Sequence, residues 1–176
     1  MGLVHIYCGD GKGKTSAAVG LAVRAAGCGK RVVIARFLKT DNSGEVEILK
    51  KIPEVTLIPC RKIFGFVRSM DEETKRECAA YHRELFGEAV KLAEHADLVV
   101  FDEIMAAVNY GMVPERDVLE FLENRPGRDQ TDGLEIVLTG RDPSEKLIAA
   151  ADYVSEICKR KHPFDRGIMA RRGVEY

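Results

Sequence analysis

The chain of 176 residues lacks any apolar run approaching the roughly 18 residues that a membrane-spanning helix needs. It also lacks an excess of either charge: its formal net charge is −1, so its overall electrostatics do not favour nucleic acid or an anionic membrane as a partner. Its first predicted strand begins at residue 3, which leaves no room for a signal peptide. These absences predict a cytoplasmic protein with no membrane or nucleic-acid partner. The length favours one domain spanning residues 1–176.

The cysteines lack the spacing of a disulfide framework or a zinc site. They are Cys8, Cys28, Cys60, Cys78 and Cys158, and no two of them form Cys-x-x-Cys. Reduced thiols of a cytoplasmic protein are therefore a better interpretation than a redox or metal role.

What the sequence does contain is a glycine-rich stretch at residues 9–15, between an apolar run at residues 3–8 and a helix-like segment from Thr15. The order strand, glycine loop and helix predicts a phosphate-binding loop. Glycines let backbone N–H groups turn inward around an anion, and the start of the helix adds its positive dipole end. Lys14 is expected to place its charge at the terminal phosphates, and the Thr15 hydroxyl to bind Mg²⁺. The predicted contacts with a nucleotide triphosphate are Gly9, Asp10, Gly11, Lys12, Gly13, Lys14, Thr15 and Ser16.

This loop is one residue shorter than the common phosphate loop. The common spacing would put a glycine at position 8, where the chain has Cys8. The carboxylate of Asp10 is expected to point away from the phosphates, because like charges repel. The alternative to a nucleotide loop is a glycine-rich turn with incidental lysines.

A second informative stretch is the apolar run at residues 97–103, which ends in Asp102 and Glu103. A buried strand that ends in an acid matches the strand that supplies a carboxylate to Mg²⁺ in phosphate-loop proteins. Either carboxylate is a candidate to bind Mg²⁺ directly, to bind it through water, or to orient a reacting group. The alternative is a strand that simply ends at a polar loop.

Two further loops carry candidate site residues. Arg141 follows the predicted strand at residues 134–139, and ligands bind at the carboxyl ends of strands in open α/β sheets. The alternative for Arg141 is a surface arginine in a turn. Phe64 and Phe66 lie on a predicted loop at residues 61–69, where they either serve the site or cap the core.

The remaining pattern alternates strands and helices, which predicts an α/β fold with a mostly parallel sheet and helices on both faces. Further strands are predicted at residues 31–38, 55–58 and 153–158, and further helices at 46–51, 71–95, 114–122 and 144–151. The tail, at residues 159–167 and 171–176, is basic with interleaved aromatics. It is interpreted as a solvated face or a phosphate-binding edge, with nucleic-acid binding as the alternative.

Together these motifs resemble those of the ATP:corrinoid adenosyltransferases of the cobalamin pathway, over nearly the whole chain. The resemblance rests on the short loop at residues 9–18, Phe37-Leu38-Lys39, Gly44-Glu45, residues 100–104, Leu138-Thr139-Gly140-Arg141, and residues 161–168. It implies a RecA-like phosphate-loop (P-loop) fold, usually homodimeric. The implied reaction transfers the 5′-deoxyadenosyl group of ATP to Co(I) of a corrinoid, in adenosylcobalamin synthesis or salvage. Triphosphate is the implied leaving group, Mg²⁺ is needed, and a flavoprotein is the implied kind of electron donor.

The resemblance also assigns roles to particular residues. The implied catalytic residues are Lys14, Glu103 and Arg141; Lys39 and Phe66 join the loop in substrate binding; Thr15, Asp102 and Glu103 are the implied Mg²⁺ ligands. Co(I) is itself a strong nucleophile, so no activated serine, cysteine or general base is required. The family is thought to bind ATP reversed in its loop, which would account for the altered spacing.

The sequence departs from the family pattern in two places. Relatives carry an N-terminal extension that helps to cover the corrin, whereas this sequence begins two residues before its first predicted strand. Relatives often show Gly-Phe-x-Trp, an aromatic pair thought to displace the lower cobalt ligand, whereas here Gly65-Phe66 is followed by Val67-Arg68 and the chain has no tryptophan. A substrate without the lower ligand, or another source of reduction, is the resulting hypothesis.

Other classes of protein use the same loop. A small-molecule kinase or a RecA-like ATPase would release ADP or phosphate rather than triphosphate, and would fit a loop of standard length better. A non-catalytic regulator would bind ATP and Mg²⁺ without consuming ATP.

Overall fold

The computed structural model describes residues 2–128 and 132–175. Its centre is a six-stranded sheet in the order β3-β2-β4-β5-β1-β6, in which every neighbouring pair is parallel. The strands are β1 (Val4–Cys8), β2 (Val32–Arg36), β3 (Val55–Leu57), β4 (Leu98–Asp102), β5 (Glu135–Thr139) and β6 (Tyr153–Glu156). The predicted α/β class is confirmed, and the sheet is wholly rather than mostly parallel.

Six α-helices are described: α1 (Lys14–Gly27), α2 (Gly44–Leu49), α3 (Glu72–Ala93), α4 (Ile104–Asn109), α5 (Glu115–Glu123) and α6 (Glu145–Ala149). Two single 3₁₀ turns lie at Val67–Ser69 and Pro163–Arg166. Helix α4, which has six residues and no side-chain cap, was not predicted from the sequence. None of the helices in the described parts of the chain is long and apolar enough to cross a membrane.

The helices cover both faces of the sheet, as predicted. On one face, α1 presents Ala18, Ala22 and Ala26 to the sheet, at a spacing of four residues that puts them on one side of a helix. These small side chains let the helix lie close to β2 and β4. On the other face, the core is larger and rich in aromatic residues, with Phe101 of β4 packed against Phe86 of α3.

The topology brings three polar strand ends together. Cys8, the last residue of β1, leads into the glycine-rich loop, and β1 pairs with β5 through Tyr7 and Thr139. Asp102 ends β4, the neighbour of β5 on its other side. Because all strands are parallel, their carboxyl ends lie at one edge of the sheet, where ligands of such folds bind.

Candidate functional site

The glycine-rich loop joins β1 to α1 and packs against the segment that follows β6. Gly9 and Gly13 have φ of 102° and 121°, a region that favours glycine. A Cβ atom on Gly9 or Gly11 would lie 2.5 or 2.6 Å from the carbonyl oxygen of Ile157, and the Gly11 N–H donates to that same oxygen. These glycines therefore allow a backbone-to-backbone contact that no other residue would fit.

Lys14 lies inside this loop. It is the first residue of α1, it is 7% exposed, and its Nζ donates to the carbonyl oxygens of Gly9 at 2.8 Å and Gly11 at 2.9 Å. Burial lowers the pKa of the Lys14 ammonium, and the nearby Glu103 carboxylate opposes that effect. The ammonium is therefore held at the centre of the loop, where it would meet a bound phosphate chain.

A compact polar network connects the loop to β4 and β5. The buried carboxylate of Asp102 accepts hydrogen bonds through Oδ1 from the hydroxyls of Thr15, at 2.9 Å, and Thr139, at 2.7 Å. Lys39 Nζ donates to Thr15 Oγ1 at 2.7 Å and to Asp102 Oδ2 at 2.5 Å. The structure thus brings together Thr15 and Asp102, two of the three predicted metal ligands.

Glu103 and Arg141 lie at the mouth of the loop. Glu103 has a left-handed backbone (φ 61°), and its N–H donates to Thr139 Oγ1 at 2.8 Å. The guanidinium of Arg141 contacts the backbone oxygen of Asp10 at 3.4 Å, and Asn109 of α4 donates to the Arg141 carbonyl at 3.1 Å. Both side chains line a cavity with the loop residues. The prediction that Arg141 faces the site thus has geometric support.

A second cavity, of about 520 Å³, adjoins this mouth and contains Phe66. We call it the Phe66 cavity; its lining also includes Lys39, Arg68, Glu103 and Tyr110. Phe66 is 86% exposed. Phe64, by contrast, packs with Tyr81 and His82 at the edge of the core. The two aromatics of this loop therefore have different surroundings: one belongs to the core and the other faces the cavity.

The segment after β6 also contacts the loop. Lys159 donates its backbone N–H to Asp10 Oδ1 at 2.8 Å, and this bond lowers the pKa of Asp10. The Asp10 carboxylate is thus bound by backbone on the side of the loop where β6 ends, which supports the expectation that it points away from the phosphates.

The last described residues form a turn that lies over the loop; we call residues 171–175 the tail turn. Within it, Glu175 accepts three hydrogen bonds from Arg171, and its Oε1 also accepts one from Lys12 Nζ at 3.1 Å. These bonds lower the pKa of Glu175 to about 2. No local pattern indicates this ion pair, because its partners lie 163 residues apart along the chain.

Replacing Glu175 with glutamine is expected to tighten binding of inorganic triphosphate about two- to fivefold, the range set by a partly exposed ion pair. The reason is that Lys12 would no longer need to exchange a carboxylate for the incoming anion. Titration calorimetry would measure the dissociation constant, with Glu120→Gln, a charge removal on the exposed side of α5, as the control. An unchanged or weaker affinity for triphosphate in Glu175→Gln alone would contradict the prediction.

The fold and the site together define a class of protein. A parallel sheet, a glycine loop between β1 and α1, a buried lysine in that loop and an acid at the end of β4 are the parts of a P-loop nucleotide-binding protein. The model of the family "ATP:corrinoid adenosyltransferase BtuR/CobO/CobP" matches residues 1–176, and the chain belongs to this family.

Curated relatives agree with this assignment. The chain is 33% identical to the corrinoid adenosyltransferase of Escherichia coli K12 over 178 residues, which cover 99% of this chain and 86% of the relative. It is 32% identical to the corrinoid adenosyltransferase CobA of Salmonella typhimurium over 176 residues, with the same coverage. It is 31% identical to the corrinoid adenosyltransferase of Pseudomonas aeruginosa, covering 99% of this chain and 84% of that protein. The predicted family and its adenosyltransferase activity are therefore confirmed, and the kinase, ATPase and regulator interpretations are not supported.

Proposed function

We propose that the protein transfers the 5′-deoxyadenosyl group of ATP to Co(I) of a corrinoid and releases triphosphate. The observation that carries this proposal is the position of Glu103, which lines both the cavity at the phosphate loop and the Phe66 cavity. A triphosphate bound on the loop would hold its adenosine at the junction of the two cavities. The C5′ atom would then face a corrinoid lying against Phe66.

The chemistry requires positioning and charge stabilisation rather than an activated side chain. Cobalt supplies the electron pair for the new cobalt–carbon bond, the C5′–O bond breaks, and its electron pair leaves with triphosphate. Negative charge therefore accumulates on the phosphate chain. Lys14 inside the loop, with Lys12 and Arg141 at its mouth, is the set of cations that we assign to that charge.

The donor groups at the strand ends fit Mg²⁺, which prefers oxygen ligands. We propose that the Thr15 hydroxyl and the Asp102 carboxylate hold the ion, and that Glu103 contributes directly or through water. When bound, Mg²⁺ supplies positive charge to the phosphates. The described parts of the chain contain no group of three or more His, Cys, Asp or Glu side chains suited to a metal, so phosphate oxygens would complete the coordination.

We further propose that residues 1–176 form one nucleotide-binding adenosyltransferase domain that acts in the cytoplasm as a homodimer, with a flavoprotein as electron donor. The cytoplasmic assignment is supported by five free cysteines, of which Cys28 and Cys158 are exposed. The corrinoid is the second substrate. Which corrinoid the Phe66 cavity accepts determines whether the enzyme acts in adenosylcobalamin synthesis or in salvage.

The direct test is anaerobic incubation of the purified protein with MgATP and chemically reduced cob(I)alamin. The corrin absorbance and the phosphate products would be followed in the same tube. Adenosylcobalamin forming one-for-one with triphosphate is the expected result. ADP, or intact ATP, without a new cobalt–carbon bond would contradict the proposal. Cob(I)inamide, which lacks the lower ligand, should be run in parallel because Arg68 occupies the position of tryptophan in the Gly-Phe-x-Trp pattern.

Replacing Phe66 with alanine is expected to lower kcat/KM for the corrinoid about tenfold or more, because an exposed aromatic face in the cavity is lost. The KM for ATP should change little, since Phe66 lines the corrinoid side of the junction and not the loop. Steady-state kinetics with each substrate varied in turn would separate the two effects. Ile63→Ala, which removes an exposed apolar side chain (66%) of the same loop that does not line the Phe66 cavity, is the control. Equal losses in the two variants, or a loss confined to ATP, would contradict the assignment.

A further inference from the structure

The position between Thr15 and Asp102 is already filled by a positive charge that belongs to the protein. Lys39 Nζ lies 2.7 Å from Thr15 Oγ1 and 2.5 Å from Asp102 Oδ2. The side chain of Asp102 is 2% exposed and that of Lys39 is 27% exposed. A buried carboxylate without a partner is costly, so the ammonium compensates the charge of Asp102.

The hydrogen bonds of the Asp102 carboxylate and the Thr15 hydroxyl leave few lone pairs free to bind a metal ion. Asp102 Oδ1 already accepts from Thr15 and from Thr139, and Oδ2 accepts from Lys39. The Thr15 hydroxyl donates to Asp102 and accepts from Lys39. A Mg²⁺ ion binds oxygen at about 2.0–2.1 Å and would lie beside the ammonium, where two like charges repel strongly. The ammonium and the metal therefore exclude each other at this position.

The backbone after β2 is shaped to deliver Lys39 to this place. The N–H of Phe37 donates to the backbone oxygen of Asp102 at 2.8 Å, which continues the β2–β4 pairing. Leu38 then adopts a left-handed conformation with φ 53°, which is unfavourable for a residue other than glycine. Beyond it, Asp41 forms an ion pair with the buried Arg36 and holds the far end of the loop. Lys39 is thus held between two fixed points.

The Lys39 side chain also borders open space into which its ammonium can move. It lines the Phe66 cavity, and it lines a separate cavity of about 810 Å³ on the α1 side of the loop, next to Ser43 and Val174. A lysine side chain has several rotatable bonds, so its ammonium can leave Asp102 without movement of the backbone.

We propose that Lys39 acts as a resident cation that closes the metal position of the nucleotide-free enzyme and yields it to Mg²⁺ only when ATP binds. The proposal rests on the proposed function in one respect, namely that MgATP is the substrate. In the absence of nucleotide, Lys39 neutralises Asp102 and keeps divalent cations out. With ATP bound, phosphate oxygens would add to the oxygen ligands of Thr15 and Asp102 that would hold Mg²⁺, and the Lys39 ammonium would move away from Asp102 into one of the two cavities that it lines. Lys39 is therefore a positioning residue that makes metal binding depend on nucleotide.

The test is binding of Mn²⁺, the paramagnetic probe for this position, to the nucleotide-free protein, measured by the loss of the free Mn²⁺ signal in electron paramagnetic resonance. Lys39→Met is expected to bind one Mn²⁺ per chain at least about tenfold more tightly than the wild-type protein, because a buried carboxylate is left without its cation. Lys39→Arg, which keeps the charge, should bind Mn²⁺ as weakly as the wild type. Lys75→Met, which removes the partner of Glu72 on the surface of α3, is the matched control and should also resemble the wild type.

The outcomes separate this proposal from the proposed function, because none of these measurements uses adenosyl transfer. Equal Mn²⁺ affinity in Lys39→Met and the wild type would overturn the proposal, and so would tight Mn²⁺ binding by the nucleotide-free wild type. If Lys39→Met does not fold without metal, its thermal unfolding is measured with and without Mg²⁺. A folded state that appears with Mg²⁺ alone supports the proposal, and the absence of one overturns it. Addition of ATP to the wild type should remove more free Mn²⁺ than the same concentration of ATP removes without protein.

Discussion

Replacing Lys14 with methionine is expected to lower kcat/KM for adenosyl transfer about 10²–10³-fold, the loss typical of removing one preorganised charge or donor from a catalytic site. Lys14 is the buried cation of the phosphate loop and is fixed by two carbonyl oxygens, so little reorganisation is needed when charge develops on the triphosphate. Initial rates with MgATP and cob(I)alamin would measure the effect, and thermal unfolding would show that the variant is folded.

The neighbouring Lys12 provides the matched control for this experiment. Its side chain is 46% exposed and is paired with Glu175, so Lys12→Met is expected to cost about tenfold or less. Comparable losses in the two variants would mean that kcat/KM depends on the total positive charge of the loop and not on the buried position of Lys14. That result would contradict the role assigned to Lys14.

Stability is expected to fall by about 3 kcal/mol as the pH is lowered from 6.5 to 4, because of one buried histidine. His82 of α3 is 4% exposed, its Nδ1 has no hydrogen-bond partner among the described residues, and its ring lies against Phe37, Phe64 and Tyr81. Burial lowers the pKa of His82 from 6.5 to about 4. The unfolded chain therefore takes up a proton at a higher pH than the folded one, and the stability present above pH 6.5 is lost as the pH falls towards 4.

Urea unfolding at a series of pH values would measure this contribution. In His82→Phe the fall in stability over the same pH range should be smaller by about the same amount, since phenylalanine does not titrate. His95→Gln, which replaces an exposed histidine, should keep the wild-type pH dependence. An identical slope for His82→Phe and the wild type would show that other groups cause the acid sensitivity.

The parts of the site that could be predicted from sequence are those built from consecutive residues. The loop at residues 9–15 and the acid at Asp102 were recognisable because strand, turn and helix signals stand next to each other along the chain. The family motifs indicated Arg141 and Phe66 as candidates in the same way. Local patterns also predicted the strands and helices, although they missed α4, whose six residues are too few to show a helical period.

The contacts between these parts could not be predicted, because they join residues that are far apart along the chain. Nothing near Lys39 indicates that it bonds Asp102, 63 residues away, and nothing near Glu175 indicates Lys12. The different surroundings of Phe64 and Phe66 depend on how their loop lies against α3. Such pairings follow from the order of strands in the sheet, which a single sequence does not specify.

The strand order has a consequence for how the protein is made. Although β1 is the first strand to be synthesised, it lies between β5 and β6, and Val4 pairs with Ile136 while His5 pairs with Tyr153. During translation, which proceeds from the N-terminus, β1 therefore remains unpaired until β5 and β6 have left the ribosome. The phosphate loop, in which the Gly11 N–H donates to the carbonyl oxygen of Ile157, acquires its conformation later still. A nascent chain stalled before β5 should consequently fail to retain nucleotide, even though it already contains every residue of the loop.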